Sequence, residues 1–186
     1  LRITGGILCG RQIAVPGGEI RPSMDRMRES VFSVLGDLTG LSFLDIFSGS
    51  GIIAIEAASR GASYIDAVEQ DKLKRKILLE NAAISPVRIN CRFMPAELYV
   101  KRAKNVFNVI FLDPPFPYQF KWELIANIAS SKLVQNGTRI LMHRPRPDYQ
   151  KIDIPNLEKT ESREYGRSIV DFLLYKGTER ALSLCN

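Results

Sequence analysis

Apolar residues along this chain fall into short solid runs separated by stretches with helical spacing, and the alternation continues from Leu41 to Met142. Phe43-Leu44-Asp45-Ile46-Phe47 is an apolar run broken by one carboxylate, as expected of a buried parallel strand whose C-terminal end opens onto a site. Ile52, Ile53, Ala54, Ile55, Ala57 and Ala58 then mark the apolar face of a helix. Tyr64 to Glu69 predicts a second strand, followed by a helix over 71–83 with Leu73, Ile77, Leu78 and Ala82 inward and Lys72, Lys74, Arg75 and Lys76 outward. Val87 to Phe93 predicts a third strand, with a helix starting at Pro95, a residue tolerated in a first turn. Phe107 to Leu112 predicts a fourth strand, 122–133 a helix, and Arg139 to Met142 a fifth strand after Asn136-Gly137. Thr160 to Tyr165 and Ser168 to Tyr175 read as two last strands, and their short connection near Gly166 makes them antiparallel. Five strand and helix units closed by a hairpin predict an α/β fold built on a mainly parallel, seven-stranded sheet.

The pattern before Leu41 differs. Arg2-Ile3-Thr4 and Gln12 to Val15 are strand-like and joined through glycines, which predicts a small hairpin ended by Pro16-Gly17-Gly18. It either covers a sheet edge or carries Arg2 and Arg11 to nucleic-acid phosphates. Arg21-Pro22-Ser23 leads into a helix whose apolar positions Met27, Val31, Val34, Leu35 and Leu38 recur at helical spacing, with Ser23 as N-cap. Arg26 and Arg28 fall in its first turns, where the helix dipole disfavours each cation by ~0.3–1 kcal/mol. They either hold an anion or form a solvated pair offset by Asp25 and Glu29. Residues 1–20 are thus expected to be a hairpin extension of a core over 21–186, within a single domain.

Length and composition narrow the class. The 186 residues suit one domain, and 45% hydrophobic with 25% charged residues exclude a disordered chain. No apolar run approaches the roughly 18 residues of a membrane span, and the first residues are polar and glycine-rich, so a cytoplasmic protein is expected. Cys9, Cys91 and Cys185 have neither metal-type nor CxxC spacing and read as reduced thiols. His143 is the only histidine, which argues against a zinc hydrolase or a His-dependent triad, and no metal is expected. A net charge of +6 fits a polyanionic partner and equally fits a basic enzyme with none.

Two motifs carry the chemistry. Gly49 and Gly51 follow the first strand and precede its helix, a turn that lets a ligand approach the backbone closely. Glu69 ends the second strand about twenty residues later, where an acid accepts both hydroxyls of a ribose; the alternative is a helix N-cap. The glycine pattern alone also fits a dinucleotide fingerprint. Asp113-Pro114-Pro115-Phe116 ends the fourth strand. Its prolines keep the chain extended and offer no amide hydrogen, so the segment displays acceptors only, beside an aromatic ring. Acceptors without donors suit an exocyclic amine, with Phe116 stacked on an unstacked base; the alternative is a proline turn with Phe116 in the core. Tyr118, Phe120 and Trp122 either extend that platform or pack the next helix. Arg144-Pro145-Arg146-Pro147 is expected to be a basic loop whose arginines bind RNA phosphates.

The sequence resembles the bacterial small-subunit ribosomal RNA guanine-N2 methyltransferases, the RsmD family. The resemblance rests on Arg2 to Gly6 with Gly10-Arg11, Arg21 to Glu29, Leu44 to Gly51, Ser59 to Ala62 and Asp113 to Phe116, and it covers nearly the whole chain. It implies a Rossmann-like class I fold, S-adenosylmethionine as methyl donor, and a guanine of 16S ribosomal RNA in the small subunit as acceptor. It implies that Asp45, Ser48, Gly49 and Gly51 bind the methionine part, Glu69 the ribose and the Ala96 backbone the adenine. Asp113, Pro114 and Phe116 would hold the guanine amine. Arg21, Arg26 and Arg28 would face cofactor carboxylate or RNA phosphate. Pro95 and His143 depart from the pattern, standing where Asp or Asn and where Glu are expected. A monomer is expected. The alternatives are a nicotinamide-dependent oxidoreductase, which leaves Asp113 to Phe116 without a role, and a non-catalytic RNA-binding assembly factor.

Overall fold

A computed structural model describes residues 1–15, 22–149 and 151–177. One seven-stranded sheet has the order β3-β2-β1-β4-β5-β7-β6, formed by β1 (Ser42–Ile46), β2 (Tyr64–Val68), β3 (Ile89–Arg92), β4 (Val109–Leu112), β5 (Arg139–Pro145), β6 (Leu157–Tyr165) and β7 (Ser168–Tyr175). The first five are parallel, and β7 pairs antiparallel with both β5 and β6. Helices α1 (Pro22–Leu35), α2 (Ile52–Ser59) and α3 (Arg75–Ala82) contribute to an apolar cluster that includes Phe43, Ile65 and Phe111. Helices α4 (Ala96–Arg102) and α5 (Lys121–Ala129) contribute to a second cluster that includes Leu44, Ile46 and Ile110. Neighbouring strand residues such as Phe43 and Leu44 fall in opposite clusters because side chains alternate across a sheet. This alternation makes three layers, helix on sheet on helix. No helix among the described residues is long and apolar enough to cross a membrane.

The strand order reverses between β1 and β4, the position where open α/β sheets bind ligands. Register fixes what appears there. Ile46 is level with Val68 on one side and with Leu112 on the other, so the next residues of three strands emerge on one sheet end. Backbone bonds extend the ladder past each end, from Ser48 N to Val68 O at 2.9 Å and from Asp113 N to Ile46 O at 3.2 Å.

Several expected elements are shifted. Helix α1 stops at Leu35 because Gly36 takes a left-handed turn, and it begins at Pro22 rather than after a Ser23 cap. The expected helix over 71–83 opens with a 3-10 turn at Lys72–Lys74, capped by the Asp71 carboxylate on the Leu73 amide. That turn shifts the helical phase and leaves Leu73, expected inward, 91% exposed. The expected N-terminal hairpin is present but short: its arms pair antiparallel at Arg2 and Gln12, with backbone bonds from Ile3 N to Arg11 O and from Ile13 N to Leu1 O, both at 2.8 Å. Other groups of this segment bond to α2: the Thr4 amide and hydroxyl donate to Glu56 at 2.7 and 2.9 Å, and the Leu8 amide donates to Ser59 Oγ at 2.9 Å. The backbones approach so closely that a Cβ on Gly6 would lie 1.9 Å from the Ser59 carbonyl oxygen. The segment therefore covers a helix and not a sheet edge.

Candidate active site

The turn after β1 brings the expected cofactor residues together. Phe47 has a φ of 66°, a conformation costing of order 1–3 kcal/mol for a bulky residue, and Gly51 follows at 83° as the N-cap of α2. The Phe47 ring packs 5.1 Å from Tyr118, in the segment after β4, which ties the two loops together. Within the turn, the Asp45 Oδ2 atom accepts from the Ser48 hydroxyl at 2.6 Å and the Ala54 amide at 3.2 Å. Its Oδ1 atom is buried without a partner among the described residues. Burial pushes the Asp45 carboxyl up to about 7, with the Ser48 bond opposing the rise and the charges of Asp113 and Glu69 adding to it.

Glu69 lies across this turn, 5% exposed. One of its oxygens accepts the Gly49 amide and the other the Asp71 amide, both at 2.8 Å. Each oxygen keeps a second lone pair. A neighbouring diol can therefore be received by a carboxylate already held in place. Helix capping falls to Asp71, so the N-cap alternative for Glu69 does not describe this structure. Ala96 is buried at the start of α4.

At the end of β4, Asp113 Oδ1 accepts from His143 Nδ1 at 2.7 Å in the tautomer that places the imidazole proton there. His143 is 6% exposed and its Nε2 is buried without a partner among the described residues. Phe116 is 50% exposed, its ring edge-on to His143 at 6.2 Å, so the core-packing alternative is set aside. Its face remains available for a flat ligand.

The family described as conserved hypothetical protein 95 matches residues 1–174 of this chain. The chain belongs to this family, the RsmD family. Ribosomal RNA small subunit methyltransferase D of Escherichia coli is 33% identical over 120 residues, which take in 62% of this chain and 60% of that protein. The relative of the same name from Haemophilus influenzae is 29% identical over 95% of this chain and 93% of its own. The solved structure of yhhF from Escherichia coli superposes with a TM-score of 0.86 at 24% identity, covering 96% of this chain and 99% of that one. The fold is that of the class I S-adenosylmethionine-dependent methyltransferases. Family and fold together imply a cofactor of the S-adenosylmethionine type and remove the ground for a nicotinamide oxidoreductase.

The RsmD-type cofactor fits the residues present. The Asp45 oxygen without a partner among the described residues is an acceptor open to the ammonium of a methionyl group, and the Glu69 pair suits a ribose. Among the described residues, no group of three or more His, Cys, Asp or Glu side chains is arranged to hold a metal ion.

Two arginines expected at an RNA surface are internal in this RsmD fold. Arg28 is 1% exposed, bonding Glu56 at 3.3 Å, Asp25 at 2.6 Å and the Arg2 carbonyl at 2.8 Å. Arg144, expected in a loop, lies within β5 and is 2% exposed, bonded to Asp171 of β7 at 2.5 Å. Buried carboxylates on the neighbouring elements draw both cations inside. Arg2 and Arg11 are exposed, Arg146 is half-exposed and paired with Glu164, and Arg21 lies outside the described residues. Arg26 is exposed on α1. Arg28→Ala is expected to destabilise the fold by about 3 kcal/mol, the low end for breaking a buried pair, since Arg60 still holds Glu56. Denaturant unfolding measures this, and an unchanged midpoint would contradict the internal role.

Proposed function

We propose that this protein transfers a methyl group from S-adenosylmethionine to the exocyclic N2 amine of a guanine in the 16S ribosomal RNA of the small subunit. The observation that carries this reading is the pairing of two acceptor sets at adjacent strand ends: Asp45 with Glu69, and Asp113 with Pro114 and Phe116. Names of relatives supply the RNA and the small subunit; the acceptor chemistry supplies the amine. When bound, S-adenosylmethionine provides a methyl activated by its sulfonium charge.

The chain's own residues do the rest. Asp45 receives the donor's ammonium, Glu69 its ribose hydroxyls, and the backbone at Ala96 borders its adenine. Asp113 and the Pro114 carbonyl accept the two amine hydrogens of guanine, which turns the nitrogen lone pair away from its ring and toward the methyl. Phe116 stacks on the base. Because the reaction is an in-line displacement, positioning supplies most of the rate. Asp113 aligns the amine, and His143 in turn fixes the Asp113 carboxylate through the 2.7 Å bond.

His143 is thus a positioning residue. His143→Leu is expected to slow methyl transfer by roughly tenfold or more with cofactor binding intact, while His143→Asn, whose amide donates from nearly the Nδ1 position, recovers most of the rate. Equal losses in the two variants would contradict that role. The cofactor reading itself is tested by calorimetry, where S-adenosylhomocysteine should bind and NAD should not. Binding of NAD alone would overturn it.

A further inference from the structure

Beside the acceptor end lies a groove of about 450 Å³, between the segment after β4 and the one after β5. Its walls include Phe116, Tyr118, Trp122 and Tyr149, and none of its described lining residues is Leu, Ile or Val. A groove for a protein helix would be lined with such aliphatic residues. This one offers flat rings instead, with Phe116 half-exposed and Tyr149 67% exposed.

The groove is built, not incidental. Lys121, only 4% exposed, bonds the Phe116 carbonyl at 3.1 Å and the Tyr118 carbonyl, and pairs with Asp148 at 2.8 Å. One buried ammonium thus fixes the loop that carries the rings and pairs with the one acidic residue among the described lining residues. Rings held this way are ordered before a ligand arrives, which lowers the cost of binding. At the other wall, the Arg144 guanidinium lies over the Tyr149 ring at 6.0 Å from its centre and the Lys159 ammonium at 5.4 Å. Lys159 is exposed and Tyr149 remains 67% exposed, so the wall presents a solvent-facing cation together with an aromatic ring. Rings with cations close by match a base and its phosphate.

We propose that this groove is a subsite for an unpaired RNA nucleotide flanking the target guanine. Phe116 borders both places, so the base extruded to Asp113 and its neighbour would be held on either side of one ring. The adjacency rests on the methyl-transfer reading; occupation of the groove by single-stranded RNA does not.

The chain's single tryptophan, Trp122, lines the groove and reports on it directly. Titrating the full chain, without cofactor, with a short single-stranded polyadenylate oligonucleotide should quench Trp122 emission saturably. Tyr149→Ala should weaken that titration roughly tenfold, the scale of one stacked base, while Tyr149→Phe should stay within about twofold of the parent. Tyr149 is exposed enough that neither change disturbs packing. Silent emission at saturating oligonucleotide, or an Ala variant that titrates like the parent, would overturn the subsite. Quenching in a protein that methylates no small subunits would leave the subsite standing and remove the methyl-transfer reading. Methylation with silent emission does the reverse.

Discussion

Asp113→Asn should lose methyl transfer by roughly a hundredfold or more while binding S-adenosylhomocysteine within a few fold of the parent. The amide keeps the size of the carboxylate but places a donor where the proline segment otherwise shows acceptors, and one amine hydrogen of guanine then meets a like partner. It also weakens the link to His143, whose Nδ1 lies 2.7 Å from Asp113 Oδ1. Cofactor binding should be spared because Asp113 acts on the donor side only through its charge, which helps to raise Asp45. Single-turnover methylation and calorimetry on the same preparation separate the two effects. Parallel loss of both would place Asp113 in the cofactor site instead.

Asp45→Asn should have the opposite profile: cofactor binding is lost, yet the free protein becomes more stable above neutral pH. The folded Asp45 carboxyl sits at about 7 against an ordinary value of 3.8, so the native state holds this proton more tightly than the unfolded chain does. Its ionisation therefore costs stability progressively between those two values, and the whole cost, a few kcal/mol, is present above about 7. Removing the group should raise the melting temperature at pH 8 and leave it unchanged near pH 4. The same proton competes with the cofactor's ammonium, so parental affinity for S-adenosylhomocysteine should fall about tenfold for each unit below pH 7. A melting temperature indifferent to the substitution at pH 8, or an affinity flat between pH 6 and 8, would contradict the account. Such a residue trades stability for function.

The sheet was legible from its apolar runs, and the site followed because parallel register alone sets Asp113 and Glu69 level with the glycine turn. The two internal arginines were misplaced although a signal existed. Glu56 stands alone in the apolar helix Ile52–Ser59, and Asp171 in the apolar strand Ser168–Tyr175; each buried carboxylate requires a cation drawn from elsewhere in the chain. Reading Arg28 and Arg144 as surface charges ignored that requirement. Phe47 and Lys121 had no such signal. A left-handed aromatic residue and a buried lysine bonding two loop carbonyls arise from tertiary packing, which leaves no periodicity behind. The N-terminal hairpin was legible because its alternation is real, with Ile3 and Ile13 both buried and the two arms bonded backbone to backbone, whereas its further bonds to α2 left no periodic signal.

Guanine-N2 methylation is measured by incubating the purified protein with small ribosomal subunits from cells lacking this methylation and with methyl-labelled S-adenosylmethionine, then digesting the RNA to nucleosides. Label should appear in N2-methylguanosine at one position of the 16S RNA, at an initial rate roughly a hundredfold lower with Asp113→Asn. Label on another base or on protein, or an Asp113→Asn variant that labels at the parental rate, would contradict guanine-N2 methylation.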